Sequence, residues 1–129
     1  MGCVVALEAL RISSAEATRA NVLRAADRLG AGLREIQAAH PGWFTEIRQS
    51  GLVMGLVFAH AEGAKIVMRH LYELGVWAIF STLDPRVLQF KPGTLIDADL
   101  CEELLALTGE AITRAAEEAA TLAARDDAA

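Results

Sequence analysis

The stretch Val87-Leu88-Gln89-Phe90-Lys91-Pro92-Gly93-Thr94-Leu95-Ile96-Asp97 decides the fold of this chain. Residues 87–91 carry β-branched, aliphatic and aromatic side chains in a run too short for a helix, and so read as a strand. Pro92 lacks the N–H that a sheet ladder needs and Gly93 frees the backbone, so the strand stops there. Asp97 then offers a side-chain oxygen to the first N–H groups of a helix. Behind it Leu100, Leu104, Leu107, Ala111 and Ala115 recur at three- to four-residue spacing, which predicts the buried stripe of that helix.

Upstream, Asp84-Pro85-Arg86 reads as a turn and residues 76–82 as a strand leading into it. Gly75 follows a helix over residues 64–74 in the place of a left-handed cap, with Ile66, Val67, His70 and Leu71 on one side. Two further strands flank Gln49-Ser50-Gly51, the first over residues 43–48 and the second over residues 52–60, which predicts an antiparallel pair. In the second, Leu52, Met54, Leu56 and Phe58 alternate with Val53, Gly55, Val57 and Ala59, so both faces are apolar and expected to be covered. Gly55 in mid-strand marks a close backbone approach or a bulge.

Val22, Ala26, Leu29, Leu33 and Ile36 form one stripe of a long helix that His40-Pro41-Gly42 stops. Gly30 and Gly32 weaken it, each by about 1 kcal/mol against Ala. Ser13-Ser14-Ala15-Glu16 reads as a capping box at its start. Residues 1–12, with Val4, Leu7 and Leu10 in phase, read as the end of a helix that opens uncapped, as though the chain began inside one. The order is helix, helix, strand, strand, helix, strand, strand, helix. It predicts an α+β fold, a small antiparallel sheet covered on one face by helices and preceded by a long helix. At 129 residues the length fits a single domain over 1–129, with a helical lead-in (1–39), an α/β body (40–124) and a frayed tail (125–129).

Composition narrows the function classes. Hydrophobic residues make up 53% of the chain, which excludes disorder, and the net charge of −5 with no basic cluster argues against a nucleic-acid partner. No apolar run is long enough to span a bilayer and no secretory leader is evident, so no membrane is expected and the location read is cytoplasmic. Cys3 and Cys101 are far apart and outside any Cys-x-x-Cys pattern, as expected of reduced, buried thiols.

The residues able to carry chemistry form no constellation. His40, His60 and His70 share no ligand-like spacing, so no metal site is expected, and His40 reads as a helix-end residue. Glu102-Glu103 and Glu117-Glu118 are neighbours in a helix and point apart, as solvated faces do. The only lysines are Lys65, near a helix start, and Lys91, at a strand end. A lysine that forms a Schiff base needs desolvation or a cationic neighbour. Both read as surface cations, so no catalytic residue is assigned.

Three stretches taken together resemble the class III pyridoxal-phosphate aminotransferases. Gly2-Cys3-Val4-Val5-Ala6-Leu7-Glu8-Ala9-Leu10 is similar to the helix after that family's Asn-Pro-Leu segment. Arg48-Gln49-Ser50-Gly51-Leu52-Val53-Met54-Gly55 resembles its Arg-Gly-x-Gly-Leu-x-x-Gly hairpin. The segment from Val87 to Ile96 resembles its Leu-Arg-Phe-x-Pro-Pro-Leu-x-Ile strand. The resemblance implies the carboxy-terminal small domain of a fold-type I enzyme, which packs over an active site held by a large domain of the same chain. It implies a parent that transfers an amino group between an amine or amino acid and a keto acid or aldehyde, as a homo-oligomer. Pyridoxal phosphate and the lysine that carries it belong to the large domain, so no cofactor-binding residue is expected here.

The resemblance also singles out Gln89 as the candidate substrate-binding residue. The family's strand carries an Arg there, which grips a substrate carboxylate by a two-point fork, and Gln cannot form that fork. This implies an amine-end substrate or a carboxylate bound elsewhere. The alternative is a half-exposed strand residue with no ligand. Gly93 stands where the family has a second Pro, and Gly51 and Gly55 read as backbone requirements of the hairpin. The rival to the whole reading is a free-standing α+β regulatory or interaction module that binds a small ligand or itself.

Overall fold

The computed structural model describes residues 2–126. The elements in chain order are α1 (Gly2–Ser14), α2 (Glu16–Ala39), β1 (Phe44–Ser50), β2 (Val53–Phe58), α3 (Gly63–Glu73), β3 (Ile79–Phe80), β4 (Val87–Phe90) and α4 (Ala98–Asp126). The four strands form one antiparallel sheet in the order β1-β2-β4-β3. The α+β order expected from the sequence is the order found.

Alternation along the strands sorts the two faces of this sheet. Met54, Leu56 and Phe58 of β2 and Leu88 and Phe90 of β4 join one core with Leu29 and Leu33 of α2, Val67 and Leu71 of α3, and Ile112 of α4. Phe44 adds to it, its ring centroid 5.3 Å from that of Phe58. The expectation that both faces of β2 are covered fails at its start, where Val53 is 60% exposed. The bulge suspected at Gly55 lies instead in β1, between Phe44 and Glu46.

Three boundaries differ from the sequence reading, each for a local hydrogen-bonding reason. The serines expected to cap α2 finish α1 instead. Ser13 Oγ donates to the Ala9 carbonyl and Ser14 Oγ to that of Leu10, each at 2.6 Å, leaving Ala15 as an N-cap without a side-chain bond. The strand expected over 76–82 shrinks to Ile79–Phe80. Its start is taken by the cap of α3, where Gly75 N–H bonds Tyr72 O and Val76 N–H bonds Leu71 O. Its end is turned by Ser81, whose Oγ accepts from the N–H groups of Leu83 and Asp84. Finally, α4 reaches Asp126, so the expected frayed tail is helical at its first two positions, and residues 127–129 lie outside the described residues. Gly51 and Gly75 both adopt positive φ, +59° and +83°, as the hairpin turn and the helix cap require.

The stripe of α4 is as expected at Ala111 and Ala115, which are sealed, but its first turns are displaced by one position: Cys101, Leu105 and Thr108 are buried, whereas Leu100 is exposed and Leu104 only half-buried. The stripe of α2 is where it was expected, with Leu29 and Leu33 sealed. Gly32 lets the two helices close, since a Cβ there would stand 2.5 Å from Leu105 Cδ1.

The acidic pairs are not merely solvated. Glu102 reaches Arg28 of α2 through two contacts of 2.5 Å, and Glu118 is shared by Arg69 and His70 of α3. His40 caps α2, with Nδ1 donating to Ile36 O at 2.9 Å and Nε2 2.9 Å from Thr113 Oγ1 on α4. Polar clamps thus fasten α4 to α2 and α3.

Candidate substrate-facing surface

The face of the sheet away from the helices carries the residue that the sequence singled out. Register sets Arg48, Gly55, Gln89 and Ile79 in one row across β1, β2, β4 and β3. All four therefore point to the side opposite Met54, Leu56 and Leu88. Gly55 leaves the middle of the row without a side chain, and Val87 leans over it, 3.2 Å from where a Cβ would stand. The neighbour that Gly55 admits is therefore a side chain, where a close backbone approach was expected.

Gln89 is half-buried and makes one hydrogen bond, to the residue two places on. Lys91 Nζ donates to Gln89 Oε1 at 2.6 Å. An ammonium can only donate, so the oxygen of the amide must face Lys91, and the two N–H donors of Gln89 Nε2 are left for other partners. Among the described residues, no carboxylate forms a salt bridge with Lys91, in contrast to Lys65, which pairs with Glu62.

The neighbouring arginines are already occupied. Arg48 holds Glu46 through Nε and Nη2 at 3.1 and 2.9 Å. Arg86 holds Asp84 in the same two-point manner at 3.1 and 3.0 Å. Each guanidinium keeps its partner's carboxyl below the usual carboxylate range. The charge of each is thus matched by its own partner, although Nη1 of each keeps donors to offer.

Beyond the row the sheet edge opens into a pocket of about 370 Å³. Val76, Trp77, Leu95 and Leu100 contribute its apolar wall, and Gln89 and Lys91 are its only amide and charged residues. Asn21 of α2 steadies the rim, with Nδ2 donating to the carbonyls of Thr94 and Ile96 at 3.3 and 2.8 Å. Trp77 is 80% exposed and Leu95 68%. Sequence reading assigned no role to Trp77, Asn21 or Lys91. The pocket is assembled from three separate segments, so no local motif announces it.

Elsewhere the surface is also apolar. No residue of α1 is buried, and Val4, Val5, Leu7 and Leu10 are each about two-thirds exposed. Cys3 is exposed on this helix, contrary to the expectation of two buried thiols. Cys101 is buried, and desolvation raises its thiol pKa.

The residues present do not fit a pyridoxal-phosphate site. Lys65 is bonded to Glu62 and stands over the Phe80 ring, and Lys91 is exposed, bonded to an amide. Neither has the desolvated or cation-crowded setting of a lysine that links that cofactor. Among the described residues no cluster of three or more His, Cys, Asp or Glu could hold a metal.

An open antiparallel sheet whose core side meets α2, α3 and α4 defines the class: a small α+β domain. The relatives identify the lineage. The chain is 36% identical over 110 residues to the acetylornithine aminotransferase of Xylella fastidiosa, covering 83% of this chain and 26% of that one. It is 30% identical over 112 residues to the mitochondrial acetylornithine aminotransferase of Candida glabrata, covering 87% and 25%. The crystal structure of N-acetylornithine aminotransferase from Stenotrophomonas maltophilia superposes with a TM-score of 0.76 at 31% identity, over 93% of this chain and 31% of that one. No protein-family model matches the sequence. The chain belongs to the class III aminotransferases as a counterpart of their small carboxy-terminal domain, and it spans about a quarter of the length of the curated relatives it matches.

Proposed function

We propose that residues 1–129 act as one domain, the small domain of a larger aminotransferase, covering the active site and helping to select the substrate. The parent transfers an amino group between an amine or amino acid and a keto acid or aldehyde, using pyridoxal phosphate held by the large domain. The observation that carries this reading is the row through Gln89, on the sheet face opposite the core shared with α2, α3 and α4. In this role the chain's residues bind and orient one end of the substrate and exclude water from it. The chemistry of the cofactor belongs to groups outside the chain. The exposed apolar stripe of α1 supports partners, the large domain and a second subunit of a homodimer. Among the described residues no helix is long and apolar enough to cross a membrane, which is compatible with a cytoplasmic enzyme.

The test is a pair of assays. The chain alone, mixed with pyridoxal phosphate, is expected to give no stable yellow lysine-linked complex and no amino transfer. Grafted in place of the matching segment of the Stenotrophomonas enzyme, it is expected to restore transfer once assembly is confirmed by sedimentation. A yellow complex of the isolated chain that disappears in Lys65→Ala or Lys91→Ala would overturn the assignment. So would an assembled, cofactor-loaded graft without activity, which would favour the free-standing ligand-binding module.

A further inference from the structure

We propose that Asn21 of α2 is a positioning residue for the substrate-facing pocket: its side-chain amide holds the loop over residues 92–96, which forms the rim, and so sets how tightly the substrate binds. This role rests on the chain being the small domain of an aminotransferase.

The loop joins two anchored ends. β4 keeps its place in the sheet as far as Phe90, and Asp97 Oδ1 accepts from Leu100 N–H at 2.8 Å to start α4. Between these ends little holds the backbone. Pro92 has no N–H to donate. Gly93 has nothing within 4 Å of the place a Cβ would take, and Gly93, Thr94 and Leu95 are all exposed. The hydrogen bond inside the segment runs from Ile96 N–H to Gly93 O at 3.1 Å. Packing fixes Ile96, which is 6% exposed, and leaves the three residues before it to be held by other means.

Among the described residues, the hydrogen bonds that reach residues 92–96 from elsewhere in the chain are the two from Asn21 Nδ2, at 3.3 Å to Thr94 O and 2.8 Å to Ile96 O. A primary amide carries two N–H donors on one nitrogen, and here each meets its own carbonyl. Asp has the same shape but would set acceptors against acceptors, and Leu would leave both carbonyls without the bond. The loop supplies Pro92, Gly93, Leu95 and Ile96 to the pocket of about 370 Å³, whereas Asn21 is not part of its lining. Asn21 therefore acts through the loop rather than by touching a ligand. Without the tie, a ligand has to order the rim as it binds, which costs affinity. The reacting groups lie outside the chain, so the chemical step is left alone.

Two measurements test this role. In the ¹⁵N-labelled 129-residue chain, Asn21→Leu and Asn21→Asp should each speed hydrogen exchange of the Ile96 amide by roughly tenfold and leave that of Leu33 unchanged. The second uses the graft on the Stenotrophomonas enzyme, with N-acetylornithine, for which that enzyme is named, as the amino donor. Both variants should raise KM roughly fivefold there, with kcat per assembled site changed by less than about twofold. Asn21→Gln, which keeps both donors on a longer arm, should give an intermediate KM. A structural role alone would lower the yield of assembled enzyme without moving the KM of what assembles, so an unchanged KM overturns the proposal. Unchanged exchange at Ile96 overturns it as well, since the loop would then be held by something else. If Asn21→Leu misfolds, Asn21→Asp, equal in size, carries both measurements. Inactivity of the unmodified graft would instead sink the aminotransferase reading and the role in substrate binding with it, while exchange at Ile96 still reports whether the tie exists.

Discussion

On the side of the sheet that meets α2, α3 and α4, Met54, Leu56, Phe58, Leu88 and Phe90 are sealed from solvent. On the other, Val57 and Val87 are buried apart from that core, Val53 and Ile79 are open, and the row through Gly55 holds an ion-paired arginine and an amide tied to a lysine. The same four strands supply both faces at alternate residues, so neighbours in sequence differ sharply in what they contribute. Stability is concentrated on one side. The other holds groups whose hydrogen-bonding capacity is unspent, a poor use of a surface unless something binds to it.

The sharpest break of this comparison is truncation on the two faces of one strand. Phe58→Ala, on the covered face, is expected to cost about 3–5 kcal/mol in denaturant unfolding, as for other buried aromatic truncations. Val53→Ala, on the exposed side of the same strand, is expected to stay within about 0.5 kcal/mol. Similar losses at both would mean that the outer face is covered in the folded chain.

The second test concerns the other exposed surface. The isolated chain should self-associate through α1, and Leu7→Glu with Leu10→Glu should weaken association at least tenfold in sedimentation equilibrium while the circular dichroism is unchanged. A clean monomer of the unmodified chain at high concentration would show that the stripe does not seek a copy of itself.

Third in size is Gln89→Arg in the assembled enzyme. A guanidinium in the row adds charge-assisted bonds, about twice as strong as those of a neutral amide. Preference should move toward substrates with a carboxylate next to the amine by roughly tenfold in kcat/KM, which corresponds to about 1.4 kcal/mol. An unchanged ratio between paired substrates, one with that carboxylate and one without, would show that the row takes no part in selection.

The smallest effect lies in acid. The Glu118 and Glu102 carboxyls are held below their usual value of 4.5, chiefly by hydrogen bonds from Arg69 and Arg28. A carboxyl depressed on folding stabilises the fold above its unfolded pKa, and the contribution is lost as pH falls through the lower, folded value. The melting temperature should therefore decline below about pH 4.5, and Glu118→Gln should flatten the decline slightly. The Arg28–Glu102 pair is about half exposed and Glu118 about one-third, so solvent screening keeps the effect small. An identical acid profile for Glu118→Gln would remove that clamp from the account.

What was legible in the sequence is what local chemistry dictates. Asp97 caps α4 through its Oδ1, accepting from Leu100 N–H at 2.8 Å, as a side chain in that position should. Gly75 and the α2 stripe were equally plain. The α4 stripe was read correctly at Ala111 and Ala115 but misjudged in its first turns, because Leu100, Leu104 and Leu107 are the more hydrophobic line, while the buried line includes Cys101 and Thr108, which a hydrophobicity count passes over. The short β3 was hidden because the Val76 N–H is claimed by a helix cap, a contact that β-propensity does not register. The site was half legible. Gln89 stood out by resemblance, but its tie to Lys91 and the wall built by Trp77, Leu95 and Leu100 depend on segments brought together only in the folded chain.

The meeting of Gly32 with Leu105 constrains how this sequence can drift. A methyl group at position 32 collides with a leucine that is itself 7% exposed and has little room to swing. What position 32 can accept therefore depends on what stands at 105. A lineage that first shortens residue 105 opens the space and can later accept alanine at 32, gaining helix propensity, whereas the reverse order passes through an overpacked intermediate. The contact thus favours one order of substitution over the other.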